Sequence, residues 1–186
     1  MKQLLVLLIP IFSFLSFQQT KYVKTKVSDD ISLLLPADFM PLSDAERIQK
    51  YVSSKPPIAV YTDYSRNVDL GINVAYSRWK AEDMKIMMSF YKSNITSFYD
   101  DVQFITEDLV DINGKEFAVF EFVASVSDEE GTVQGSPTIS KYIRIQYTIV
   151  NGQTVLFNFA CPARIQSNWA PVAKHILESV KIRKTL

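Results

Sequence analysis

The fold is decided by the stretch VQFITEDLVDINGKEFAVFEFVAS, residues 102–125. Two runs rich in β-branched and aromatic residues, 102–112 and 116–125, flank the pair Asn113-Gly114. Asparagine and glycine both tolerate the positive φ angles of a two-residue turn, and such a pair between β-prone runs is a strong hairpin signal. This stretch therefore predicts a long antiparallel hairpin.

The same turn chemistry recurs at Asn151-Gly152, between β-prone runs at 142–150 and 154–160. Two such hairpins predict a sheet that is mainly antiparallel. Shorter β-prone segments, bounded by Ser, Asp, Asn and Pro, predict further strands. These strands are expected at residues 22–27, 31–35, 58–63, 70–79 and 180–183.

Three segments predict helices. Ser43 and Glu46 have capping-box spacing, which indicates a short helix over 45–52. Residues 84–98 and 165–178 carry apolar residues at three- and four-residue spacing, which is typical of an amphipathic helix packed on a sheet. In the first of these the predicted buried stripe consists of Met84, Met87, Met88, Tyr91, Ile95 and Phe98. The charged, glycine-containing segment 128–137 is expected to be an exposed loop. The combination indicates an α+β fold.

The N-terminus predicts export. Lys2 precedes an apolar run over residues 4–17, which is too short to span a bilayer and ends in the polar residues 18–20. We therefore interpret residues 1–19 as a signal peptide and residues 20–186 as a single domain, periplasmic or secreted, with no stable membrane insertion after cleavage. Residues 15–17 lack the small-x-small pattern of a cleavage site, so an uncleaved anchor stays an alternative.

Composition excludes some classes of function. The 20 basic and 20 acidic residues balance, which argues against a nucleic-acid partner, because that would require clustered positive charge. Cys161 is the only cysteine, so no internal disulfide can form. It lies at the end of an apolar strand, where a buried structural thiol is expected rather than a nucleophile.

Three segments carry a resemblance to a known family: the early strand ISLLLP at 31–36, the hairpin DINGKEF at 111–117, and FNFACP at 157–162, which leads into the last helix and ESVKI at 178–182. With the order of predicted elements, they resemble the PsbP-like superfamily over residues 31–182. The resemblance implies an αβα sandwich, with a central antiparallel sheet covered by helices on both faces. It also implies function by protein binding rather than by chemistry.

One group of residues suggests an interaction surface. Aromatic residues and arginine are typical anchors of protein interfaces, and they concentrate on the predicted middle strands and their turn. The candidate surface consists of Tyr61, Tyr64, Arg78 and Trp79, close to Tyr76. Packing within the sheet is the alternative explanation for most of them.

No motif predicts a catalytic, cofactor-binding or metal-binding site. His175 is the only histidine, and an ordinary position near a helix C-terminus accounts for it. The Ser-x-x-Lys spacings at Ser77 and Ser89 lack their supporting motifs. We expect an exported, non-catalytic accessory protein of the cell envelope that binds an unidentified protein or small apolar ligand. A hydrolase with a dispersed Ser, His and Asp set, or a structural envelope component, are the alternatives.

Overall fold

A computed structural model describes residues 20–51, 55–126 and 139–183. The predicted signal peptide and the whole of the predicted loop at 128–137 lie outside the described residues. Among the described residues the strands are β1 (Tyr22–Lys26), β2 (Ile31–Pro36), β3 (Met40–Pro41), β4 (Ala59–Thr62), β5 (Asp69–Tyr76), β6 (Asp101–Ile112), β7 (Lys115–Val126), β8 (Ile139–Val150), β9 (Gln153–Pro162) and β10 (Lys181–Ile182). The helices are α1 (Asp44–Lys50), α2 (Met84–Phe98) and α3 (Gln166–Glu178), with 3-10 turns at Ala81–Asp83 and Ala163–Ile165 before the last two.

A seven-stranded sheet forms the centre of the fold, in the order β3-β4-β5-β9-β8-β7-β6. Every neighbouring pair is antiparallel. The two predicted hairpins are confirmed: both residues of each turn have positive φ, 52° and 80° at Asn113-Gly114 and 47° and 73° at Asn151-Gly152. Turns of this hand match the twist of the flanking strands, and they set the register of the four longest strands.

One face of this sheet, which we call the α3 face, packs against α3 and a second sheet. That sheet has the order β1-β2-β10, and its central strand contributes Ile31, Leu33 and Leu35 to the core. Gln146, in the middle of β8, donates a hydrogen bond to the carbonyl oxygen of Leu177 at 2.9 Å. This bond satisfies a carbonyl group in the last turn of α3, where helices leave such acceptors without partners.

The opposite face, which we call the α2 face, is covered in part by α2. The helix lies over β6 and β7, where Met84, Met87 and Ile95 pack on a core that includes Phe120 and Phe122. The α+β sandwich predicted from the sequence is confirmed, with a helix on each face of the sheet. None of the helices in the described part of the chain has the length and apolar character needed to span a bilayer.

Three local expectations differ from the structure. The strand predicted over 70–79 ends at Tyr76, because its neighbour β9 begins at Gln153 and offers no partner beyond it. The closing strand, predicted over 180–183, covers only Lys181–Ile182, and it pairs with β2 in the small sheet. Phe98, predicted on the buried stripe of α2, is 78% exposed because it lies beside an open cleft.

Candidate functional site

An open cleft of about 660 Å³ lies on the α2 face, beside the helix. Its floor is the sheet itself, and it is formed by alternate residues of three adjacent strands: Asn73 and Ala75 of β5, Thr154 and Leu156 of β9, and Ile145 and Tyr147 of β8. Cross-strand pairing aligns these residues, since Ala75 is opposite Thr154 and Asn73 is opposite Leu156. Because side chains alternate between the faces of a strand, the other residues of the same strands fill the α3 face.

The wall of the cleft is one side of α2. Its lining residues recur every three or four positions, which places them on one side of the helix: Phe90, Tyr91, Asn94, Ile95 and Phe98, followed by Tyr99 just beyond the helix. The buried stripe of α2 holds the helix on β6 and β7, and the neighbouring stripe is therefore turned toward the cleft.

Ring contacts fix the inner part of this wall. Tyr91 stacks on Tyr147 of the floor, with ring centroids 4.3 Å apart and planes at 10°. Phe90 contacts both Tyr91, at 5.5 Å, and Trp79, at 5.8 Å. Burial raises the pKa of the phenol groups of Tyr91, Tyr99 and Tyr147 above the usual 10.0, so these side chains stay neutral at physiological pH. The wall is a preformed, uncharged aromatic surface.

The rim of the cleft carries large apolar side chains in contact with water. Tyr76 is 89% exposed, Phe98 is 78% exposed and Phe90 is 49% exposed. Scattered exposed apolar residues are ordinary, but a contiguous group around a concave site marks a surface that binds another molecule.

Residues 76–79 close one end of the cleft. The backbone N–H of Ser77 donates a hydrogen bond to the carbonyl oxygen of Gly152 at 2.9 Å. The Ser77 hydroxyl accepts a hydrogen bond from the backbone N–H of Trp79 at 3.0 Å. These bonds turn the chain away from β5 and place Arg78 and Trp79 at the cleft. The exposed guanidinium of Arg78 forms neither an ion pair nor a hydrogen bond with the residues that the structure describes, so it is free to bind an anionic group.

The four residues singled out from the sequence lie in two places. Arg78 and Trp79 are at the cleft, whereas Tyr61 is buried on the α3 face and Tyr64 is exposed in the turn between β4 and β5. Tyr61 pairs with Leu70 near the start of β5, six residues before Tyr76. Six residues of extended strand span about 20 Å, so the structure does not bring the two pairs together.

Sequence reasoning missed Phe90 and Phe98 as residues of the site. Phe98 fitted the helical stripe and was interpreted as core, while Phe90 lies one position from that stripe. The sequence did contain one signal for the site. Phe90 lies just outside the buried stripe, and it makes the apolar side of α2 wider than packing on a single sheet requires.

The groups considered for catalysis lie elsewhere. The Cys161 thiol is buried on the α3 face, and burial raises its pKa to about 11. The exposed His175 ring contacts Tyr22, with centroids 4.2 Å apart. Among the described residues the His175 ring forms no hydrogen bond with a serine, an aspartate or Cys161. No group of three His, Cys, Asp or Glu side chains in the same part of the chain converges in a way that would hold a metal ion.

One buried polar cluster was not expected from the sequence. Glu121 of β7 accepts hydrogen bonds from the Arg144 guanidinium, from the Tyr142 hydroxyl at 2.9 Å and from the Thr106 hydroxyl at 3.4 Å. Arg144 and Glu121 are directly opposite each other on neighbouring strands. Tyr142 and Arg144 are buried, and Tyr142 packs in the core of the α3 face, so the cluster lies on the face of the sheet opposite the cleft.

Solved structures share the architecture just described. The solution structure of cyanobacterial PsbP (CyanoP) from Synechocystis sp. PCC 6803 matches with a TM-score of 0.58 at 11% identity, over 90% of this chain and 96% of that one. The Ran-binding protein Mog1p of Saccharomyces cerevisiae matches with 0.56 at 11% identity, over 88% and 96%. LpqN, involved in cell envelope biogenesis of Mycobacterium tuberculosis, matches with 0.56 at 11% identity, over 87% and 90%.

The chain has the PsbP-like fold. No protein-family model and no curated protein sequence matches it. At 11% identity the likeness concerns the backbone arrangement, and function must be argued from the residues of the cleft.

Proposed function

We propose that residues 20–186 form an exported, non-catalytic accessory domain of the cell envelope, which binds an apolar group of its partner or ligand in the cleft beside α2. The observation that carries this proposal is the combination of a preformed aromatic cleft with a rim of exposed Tyr76, Phe90 and Phe98. Leaving these rings in water costs free energy, which is recovered when a bound molecule covers them.

The volume and lining of the cleft agree with binding. Sites for small molecules and peptide anchors usually measure about 300–1,000 Å³ and combine apolar walls with a few polar groups. Here Asn73, Asn94 and Thr154 supply hydrogen-bonding groups within an aromatic and aliphatic surface.

The solved neighbours support an accessory role without chemistry. They include a Ran-binding protein and a protein involved in cell envelope biogenesis. The N-terminal residues 1–19, with their basic start and short apolar run, support export to the envelope. Fractionating the cells and sequencing the mature N-terminus tests that part of the proposal, and an intact Met1 in the cytosol would contradict it.

Binding in the cleft is tested with N-phenyl-1-naphthylamine, an apolar dye whose fluorescence rises when it leaves water. Ala75 lies on the exposed floor, so Ala75→Trp fills the cleft without disturbing the core. The matched control is Val23→Trp on β1, a residue that is also exposed on a strand but lies outside the cleft. We expect saturable dye binding to the wild type and to Val23→Trp, with a loss of about tenfold or more in affinity for Ala75→Trp.

Equal dye binding by Ala75→Trp and the wild type would contradict the proposal. Circular dichroism and thermal unfolding of both variants show whether each is folded, so that a loss of binding can be assigned to the filled cleft.

A further inference from the structure

The floor of the cleft has room for a second helix beside α2. The helix α2 lies over β6 and β7, and the floor is formed by β8, β9 and β5. The axis of α2 runs above the line between β6 and β7, and a second helix would run above the line between β8 and β9. These two lines are two strand spacings apart, which is about 10 Å. This is the usual distance between the axes of two packed helices, about 8–10 Å.

The sheet dictates what kind of backbone can lie on that floor. β8 and β9 are hydrogen-bonded to a neighbour on both sides, whereas β5 is paired with β4 only over Asp69–Ile72, so residues 73–76 of β5 are paired with β9 alone. An extended peptide lying flat across β8 and β9 would find no strand edge there, so its own N–H and C=O groups would lose water without gaining partners. A helix satisfies these groups internally, and it can place an apolar side on the floor.

The rim indicates an occupant that is wider than the cleft. Tyr76 and Phe98 keep most of their surface in water even though they line the site. A small molecule sunk on the floor would leave their outer surfaces wet. A helix about 10–12 Å in diameter rises above the floor and covers both rings, and such aromatic residues are frequent anchors of protein interfaces.

The positive charge at the end of the cleft favours a partner with negative charge at that end. Arg78 has no ion-pair partner among the described residues. Lys80, two residues on, forms a long ion pair with Glu82, with 3.9 Å between the ammonium nitrogen and the carboxylate oxygen. Both Lys80 and Glu82 are largely exposed. An acidic residue at the end of the docked helix would pair with Arg78, and the negative C-terminal end of the helix dipole would add to that attraction.

We propose that the cleft receives an amphipathic helix of a partner protein, with its apolar side on β8, β9 and β5 and an acidic C-terminal turn at Arg78. This inference rests on the proposed function, because it names the occupant of the same cleft. The length of α2 that lines the cleft, residues 90–98, spans about 12 Å, which corresponds to a contact of two to three helical turns.

The probe is a fluorescein-labelled peptide of 18 residues, built from leucine, alanine, lysine and glutamine, with leucines three and four residues apart and two glutamates in the last turn. Three control peptides accompany it: one with the same residues in an order that spreads the leucines around the helix, one with a central proline, and one with lysines in place of the glutamates. Fluorescence anisotropy with the full chain measures each affinity. We expect binding of the first peptide, and a loss of about tenfold or more for the scrambled and proline peptides.

Variants of the rim separate a helix from a small ligand. The pair Tyr76→Ala and Phe98→Ala removes both outer rings and leaves the floor intact, so peptide affinity should fall by about tenfold, and by more than dye affinity does. The matched control is Tyr64→Ala with Ile86→Ala, which removes similarly exposed side chains, 84% and 63%, outside the cleft. This control should bind both probes as the wild type does.

A charge swap tests the orientation. Arg78→Glu should weaken binding of the glutamate peptide by about fivefold and strengthen binding of the lysine peptide by a similar factor, which is the scale of an exposed ion pair. If neither peptide responds to Arg78→Glu, the polarity assigned to the partner is wrong.

The outcomes distinguish this inference from the function beneath it. If the dye binds in the cleft but the amphipathic peptide binds no better than its scrambled form, the occupant is a small ligand and the inference fails while the proposed function stands. If Ala75→Trp changes the binding of neither probe, both proposals fail.

Discussion

The buried ion pair between Arg144 and Glu121 allows a quantitative prediction. Arg144 is only 6% exposed, and its guanidinium donates to Glu121 from the neighbouring strand. We consider Arg144→Met, which keeps a long apolar side chain in the same space and removes the positive charge. Glu121 then stays in the sheet as a carboxylate without its cationic partner.

The expected cost follows from the contacts that remain. Removing one partner of a buried ion pair destabilises a protein by about 3–5 kcal/mol, because the other charge is left without compensation. Glu121 keeps the Tyr142 hydroxyl at 2.9 Å and the Thr106 hydroxyl at 3.4 Å, so we expect the lower end of this range. A loss of about 3 kcal/mol corresponds to a fall of roughly 6–12 °C in Tm for a domain of this size.

Urea unfolding followed by circular dichroism measures the change in the free energy of unfolding. The double variant Arg144→Met with Glu121→Leu removes both charges and should recover about half of the loss, since Tyr142 then lacks an acceptor for its hydroxyl. The control is Lys174→Met, which breaks an exposed pair with Glu178 at 3.8 Å and should cost less than about 1 kcal/mol.

If Arg144→Met costs no more than Lys174→Met, then Glu121 is solvated in the folded protein and the reasoning from its burial is wrong. A double variant less stable than Arg144→Met alone would also contradict it, because the unpaired charge would not be the source of the loss.

Three further predictions concern single residues. Cys161, with its buried thiol and a pKa of about 11, should react with Ellman's reagent in the native protein only as fast as the chain opens, and urea should accelerate the reaction strongly; rapid labelling of the folded protein would show an accessible thiol. Burial by itself would raise the pKa of Asp63, but hydrogen bonds from the Ser65 hydroxyl and from the backbone N–H groups of Val68, Ser65 and Asn67 lower it below the usual 3.8. The carboxylate therefore contributes stability above pH 3.8 that is lost as the pH falls through the lower folded pKa. Asp63→Asn should lower the free energy of unfolding by about 1 kcal/mol at pH 7. Urea titrations should show that this difference between wild type and variant shrinks below pH 3.8; a constant difference down to pH 2 would contradict that account. Gly152→Ala, at φ 73°, should lower stability by about 1 kcal/mol in the same assay, because a Cβ atom is disfavoured in the left-handed region.

Local signals in the sequence were sufficient for most of the sheet. The Asn-Gly turns at 113–114 and 151–152 predict both hairpins from local turn chemistry, and the capping box at Ser43 predicts the start of α1. The end of β5 could not be predicted from residues 76–79 themselves. It depends on where the neighbouring strand β9 begins, because β5 has no pairing partner beyond that point.

The candidate site was predicted only in part, for a related physical reason. Arg78 and Trp79 were recognised by their residue types, whereas the contribution of Phe90 and Phe98 depends on how much of the sheet α2 covers. Amphipathic spacing shows which side of a helix is apolar, but it does not show whether that side is wider than the surface beneath it. The separation of Tyr61 from Trp79 has a similar cause. Tyr61 lies on the α3 face and Trp79 lies at the cleft on the α2 face, and residue type alone does not show which face of a sheet a side chain occupies.

The small sheet links segments from opposite ends of the described chain. Ile31 of β2 is paired with Ile182 of β10, and the backbone N–H of Arg183 donates to the carbonyl of Asp30. An isolated hairpin of β1 and β2 is marginal in water, so this layer cannot be completed until residue 182 has been synthesised. The small sheet is therefore among the last parts of the described chain that can form during synthesis.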